Sequence, residues 1–116
     1  MDISDIKTEQ DLLEALKGYT AFERAVYLTT FKIPKGKVST YSGIAKKIGH
    51  PKAFRAVANT LNKCPLWPVV PCHRVVASDG GFTGNEKGAS YRRKMIRDEG
   101  VPIKGGKVVL TEDVLF

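Results

Sequence analysis

The sequence predicts a mostly α-helical fold with a small β element: a winged-helix-like domain built around a helix-turn-helix. Three observations predict it. Apolar residues recur at helical spacing along most of the 116-residue chain. A turn at Gly49-His50-Pro51 separates two such segments inside a basic stretch. A β-branched core lies before Cys72, and the C-terminal end reads as a small hairpin.

The elements follow in order. "TEQDLLEALKG" places Leu12, Leu13 and Leu16 on one face and ends at Gly18, so a short amphipathic helix lies within residues 1–18. Thr20 followed by Glu23 is a capping-box pattern, and Phe22, Val26, Tyr27 and Phe31 then recur at helical spacing. Residues 39–63 read as the helix-turn-helix. Ser39 or Thr40 caps its first helix, whose apolar face is Ile44, Ala45 and Ile48. Pro51 suits the first position of its second helix, which turns Phe54, Val57, Ala58 and Leu61 inward. "LWPVVPCHRVVAS" suits a short buried strand or extended segment ending at Cys72, and residues 79–88 form a glycine-rich loop. Residues 89–100 read as a helix with Tyr91, Met95 and Ile96 inward and Gly100 as its stop. A terminal hairpin turns over Gly105-Gly106.

This length fits one domain over 1–116. With 42% hydrophobic and 27% charged residues the composition is neither disordered nor membrane-like. No run reaches the roughly 18–20 apolar residues of a spanning helix, and the N-terminus is acidic and polar. An intracellular protein is therefore expected, cytoplasmic or, in a eukaryote, nuclear, with its two cysteines reduced. Nineteen Lys and Arg against twelve Asp and Glu give a net charge of +7, and no acid falls between Val26 and Asp79. So one-sided a field favours a polyanion. The second helix of the pair offers Ala53, Ala56 and Ala58 with one arginine, which suits close approach to a backbone or narrow groove more than reading of base edges.

Cys72 admits three readings: buried filler, metal ligand or nucleophile. Cys64, Cys72, His50 and His73 are four soft ligands, but their spacing is not that of a zinc site. A nucleophilic thiol needs a base or positive charge to lower its pKa from about 8.5, and His73 and Arg74 follow directly. On a strand, adjacent residues face opposite ways, so the chain must turn at Cys72-His73 or a water must carry the proton.

"PCHRVV", preceded by "RAVANTLNKCPLWPVV", followed by "FTG" and joined by "KVSTYSGIA", closely resembles the active-site region of the O6-alkylguanine-DNA alkyltransferases from about Thr20 to Gly100. The resemblance implies a one-time transfer of an alkyl group from guanine O6 to a thiolate, with no metal or cofactor. It implies Cys72 as acceptor, His73 as its water-mediated base and Glu99 as the acid that polarises the histidine. Arg55 would be the finger that fills the space of an extruded nucleotide. Tyr41 would help rotate that nucleotide, and Ala53, Ala56, Ala58 and Arg74 would lie on the DNA. The substrate pocket would comprise Tyr41, Leu61, Val75, Asn85 and Glu86. The implied partner is double-stranded DNA with alkylated guanine, met by a monomer, with further repair proteins or a fused repair domain left open.

The chain departs from that pattern in three places. It starts about twenty residues before the shared region, so the additional N-terminal domain that many members carry is not expected here. Cys64 stands where an asparagine usually ties the turn to the active site, which should loosen that turn. Asn85 replaces a tyrosine after "TG", with Glu86 and Lys87 in place of small residues. A rival expectation is a non-enzymatic alkyltransferase-like module that binds damaged DNA and recruits other factors; in such proteins the cysteine is replaced, whereas this chain keeps "PCHR".

Overall fold

The first two helices begin where a threonine and an acid three residues later satisfy each other's backbone. Thr8 and Asp11 open α1 (Glu9–Ala15), and Thr20 and Glu23 open α2 (Ala21–Phe31). Each box occupies N–H groups that the helix itself leaves unpaired, worth about 1 kcal/mol. The computed structural model describes residues 5–116, so the start of the expected N-terminal segment lies outside the described residues. Leu12 and Leu16 are fully buried, whereas Leu13 faces solvent. At about 100° per residue, Leu12 and Leu13 cannot both sit on so narrow an inner face.

Strand β1 (Ser39–Thr40) leads straight into α3 (Tyr41–Lys47), and Thr40 is the cap, accepting from the Gly43 N–H at 2.9 Å. Ile44 and Ala45 are buried. Helix α4 (Phe54–Asn62) starts three residues later than expected. Pro51 belongs to the turn, and Ala53 precedes the helix without a side-chain cap. The inner face of α4 is Val57, Thr60 and Leu61; Phe54, at its first residue, is 44% exposed rather than inward. The Tyr27 hydroxyl donates to the Thr60 carbonyl at 2.9 Å and ties α2 to α4.

The stretch ending at Cys72, expected as a short buried strand or an extended segment, is neither. Pro65, Pro68 and Pro71 each lack the N–H that a ladder needs. The chain makes turns instead, then a short 3-10 helix, Cys72–Arg74, and only then β2 (Val75–Val76), which pairs in parallel with β1 in the register Ser39 to Val75. Helix α5 (Glu86–Asp98) begins earlier than expected because Asn85 caps it, its side chain accepting from the Gly88 N–H at 2.8 Å. Ile96 is buried, but Tyr91 is 56% exposed, against its inward assignment.

The C-terminal hairpin pairs β3 (Ile103–Lys104) with β4 (Lys107–Val108) over Gly105 and Gly106, whose φ values of 61° and 79° suit a tight hairpin turn. Val108 in turn donates to the Gly80 carbonyl at 2.9 Å, and a side chain on Gly80 would collide with the Val108 backbone. Two apolar clusters result. One gathers α1 to α4 and the segment before β2 around Leu12, Val26, Tyr27 and Val57. The other packs α5, the hairpin and the C-terminal residues around Val38, Val76 and Ile96. The 3-10 helix lies where they meet, with Cys72 packed on the first and its neighbours contacting α5. No helix among the described residues is long and apolar enough to cross a membrane.

Candidate active site and nucleic-acid face

A 3-10 helix turns about once per three residues, so consecutive side chains diverge by roughly 120° instead of facing opposite ways. That geometry leaves Cys72 half-buried on a cavity while His73, 3% exposed, points toward the end of α5. There His73 Nε2 lies 2.9 Å from Glu99 Oε2. Arg74 grips the same carboxylate with two bonds, Nε to Oε1 at 2.9 Å and Nη2 to Oε2 at 3.0 Å, and donates a third from Nη1 to the Ile33 carbonyl at 2.8 Å. Glu99 therefore cannot turn away from the histidine.

The charges follow from these contacts. Burial alone would raise the Glu99 carboxyl, but the hydrogen bonds from Arg74 and His73 together hold it below its usual value. An ionised carboxylate only accepts, so Nε2 of His73 carries the proton and Nδ1 presents a lone pair. Burial lowers the His73 pKa, outweighing the pull of Glu99, and the imidazole is neutral at neutral pH. Nδ1 accepts from the indole N–H of Trp67 at 3.3 Å.

Cys72 has Cys64 as its thiol partner. That contact first, and burial second, push the Cys72 pKa far above the ordinary thiol range, while the nearby Arg92 charge acts the other way. Cys72 therefore rests as a thiol. Cys64 shifts downward, because its sulfur accepts from Cys72 and from the backbone N–H groups of Leu66 and Trp67.

The cavity beside Cys72 has a volume of about 490 Å³. Leu61, Cys64, Trp67, His73, Asn85, Tyr91 and Arg92 are among its walls. Arg92 bonds to Gly88 and Asn62 at 3.2 Å each and to the Thr83 carbonyl, joining α5, α4 and the loop between them. The Tyr41 hydroxyl shares a 2.8 Å hydrogen bond with Thr83 and pins that loop to α3.

Several expected positions differ. Arg74, expected on the DNA, is partly buried and clamps Glu99 and the Ile33 carbonyl. Val75 is buried under the site and Glu86 is exposed, accepting from Ser90 at 3.2 Å; neither lines the cavity. Tyr41 is buried beside the loop and does not line it either. On the outside of α4, Arg55 and Ala56 are exposed, with Ala53 and Ala58 half-buried. Among the described residues no carboxylate pairs with Arg55; its nearest ring is Phe54, 6.0 Å away. His50 packs against Phe22, away from the thiols. Trp67, Tyr91, Asn62 and Arg92 were not expected at the site. Trp67 carried a signal, as the single tryptophan in a proline-rich run before Cys72. For the other three only the folded contact reveals them.

Residues 21–101 match the family model described as the 6-O-methylguanine DNA methyltransferase, DNA binding domain. A methylated-DNA–protein-cysteine methyltransferase of Methanosarcina acetivorans is 41% identical over 81 residues, covering 70% of this chain and 52% of that protein. A probable methylated-DNA–protein-cysteine methyltransferase of Acanthamoeba polyphaga mimivirus is 49% identical over 81 residues, covering 68% and 52%. The chain thus spans about half the length of the curated relatives it matches. Among solved structures, S. pombe Atl1 in complex with damaged DNA containing O6-carboxymethylguanine superimposes with a TM-score of 0.72 at 31% identity, covering 82% of this chain and 94% of that one.

Proposed function

The chain belongs to the 6-O-methylguanine DNA methyltransferase family, and from that premise we propose that it repairs DNA by moving an alkyl group from guanine O6 to Cys72. One observation carries the reading: a thiol and a histidine held by a carboxylate open onto the same cavity, at the edge of a helix pair with a basic outer face. A stacked guanine hides its O6 substituent, so the nucleotide must leave the duplex at a cost of a few kcal/mol. Arg55, exposed and free of acid partners among the described residues, fills the gap left behind, and the small side chains of Ala53 and Ala56 let α4 approach a narrow groove. Tyr41 holds Thr83, the residue before the cavity-lining Gly84.

In the cavity the Cys72 proton passes to Nδ1 of His73, directly or through one water. The resulting imidazolium is stabilised by Glu99, which Arg74 keeps ionised and aimed. Cys72 sulfur then attacks the alkyl carbon, the carbon–oxygen bond to guanine breaks, and the proton goes to the departing guanine. The product is a thioether and an unmodified base, one per protein molecule. A second reading is damage recognition without transfer, and S. pombe Atl1, matched over 94% of its length, is described bound to damaged DNA; the retained thiol and its base favour transfer. Titrating a duplex containing O6-methylguanine separates them: transfer removes one lesion per protein and stops, and recognition alone leaves every lesion in place.

A further inference from the structure

The lone pair that must take the Cys72 proton is already occupied. Glu99 holds Nε2–H of His73, leaving Nδ1 as the basic nitrogen, and the Trp67 indole N–H donates to it at 3.3 Å. Trp67 meets the His73 ring edge-on at 6.5 Å and the exposed Tyr91 ring edge-on at 5.9 Å, and is itself 37% exposed on the cavity wall. The indole therefore spans from the buried base to the open side of the cavity. It is anchored by one long hydrogen bond and two edge contacts, and it forms part of the cavity wall.

We propose that Trp67 is a positioning residue that keeps His73 Nδ1 unprotonated and covered until a substrate base enters the cavity, displaces the indole and frees the nitrogen for the Cys72 proton. The assignment rests on the transfer reading. An N–H donor on Nδ1 competes directly with the thiol proton, since a neutral imidazole nitrogen has one lone pair. The covered state is a protonated thiol beside a neutral imidazole; the uncovered state lets the proton cross to Nδ1, giving a thiolate and an imidazolium held by Glu99. Around that proton stand Glu99 and Arg74 on one side and Cys64 and Arg92 on the other. Coupling deprotonation to occupancy protects the single-use thiol from stray electrophiles in the free protein.

The test uses DNA-free protein and iodoacetamide, whose iodide is displaced only by thiolate. Trypsin releases both cysteines in one peptide, Cys64 to Arg74, and fragmentation places the label. Trp67→Phe keeps a ring against Tyr91 and removes the N–H. It should label Cys72 about tenfold faster, the net worth of one hydrogen bond, with the rate–pH profile moved toward lower pH. In Trp67→Phe/His73→Gln that gain should vanish, because no base remains to be uncovered. An unchanged rate in Trp67→Phe overturns the proposal, and so does a gain that survives His73→Gln, which would make Trp67 a steric cover only. Because no DNA is involved, failure here leaves the transfer reading standing; failure of lesion removal with the labelling pattern intact would sink the transfer reading alone.

Discussion

Glu99 and His73 are 26 residues apart in sequence and 2.9 Å apart at Oε2 and Nε2, with Arg74 closing a two-bond grip on the same carboxylate. Glu99→Gln keeps the shape, loses the charge and no longer fixes which nitrogen of His73 is protonated. The transfer rate should fall about a hundredfold. Stability should fall by about 1–3 kcal/mol, since Arg74 is left with a neutral partner in a largely buried site. Single-turnover kinetics and urea unfolding check the two parts; an unchanged rate would remove Glu99 from the mechanism.

The same pair gives the fold an acid-sensitive step. Burial lowers the pKa of His73, and for Glu99 the bonds from Arg74 and His73 outweigh burial and lower it too. Both groups therefore bind protons more weakly folded than unfolded, so the unfolded chain takes up the extra proton and stability drops as pH falls. The His73 contribution is complete above its ordinary value of 6.5 and is lost below it; the Glu99 contribution is complete above 4.5 and is lost as pH falls through its depressed value. Urea midpoints should decline in two stages from neutral to acid pH. His73→Gln should flatten the upper stage only.

Cys64 is the largest cause of the raised Cys72 pKa. Cys64→Ala should bring the Cys72 thiol back toward ordinary thiol values and speed its labelling. It should also cost about 1 kcal/mol, because the sulfur packs partly buried against the first apolar cluster. Ultraviolet thiolate absorbance followed against pH reads the first effect; a Cys72 titration identical to that of the parent protein would contradict it.

Arg55 is exposed and makes no ion pair among the described residues, so Arg55→Ala should change stability by less than about 0.5 kcal/mol. It should slow lesion processing far more than it weakens binding to undamaged duplex. Equal losses in the two assays would make Arg55 a phosphate contact and remove it from nucleotide extrusion.

Local rules reached the elements better than their faces. The Thr20 and Glu23 box, the Thr40 cap and the Gly105-Gly106 turn were legible because each is settled within a few residues. Leu13, Phe54 and Tyr91 were misplaced because the inner face depends on which helix lies opposite. The 3-10 turn at Cys72 is half legible: a base beside its nucleophile demands a turn there, but two prolines around a β-branched core also suit an edge strand. Adjacency alone makes Cys72 and His73 candidates for nucleophile and base; Glu99 and the settled roles come from the resemblance. The resemblance puts Arg74 on the DNA; only the fold brings Glu99 and the Ile33 carbonyl to it.

The central claim is that Cys72 accepts an alkyl group. The direct measurement is the mass of the tryptic peptide Cys64 to Arg74 after incubation with a duplex containing O6-methylguanine, beside Cys72→Ser as control. One methyl group on Cys72 of the parent peptide, none on the variant, and lesion binding retained by both is the result expected. An unmodified parent peptide from a protein that still binds the lesion would contradict the account and leave recognition without transfer.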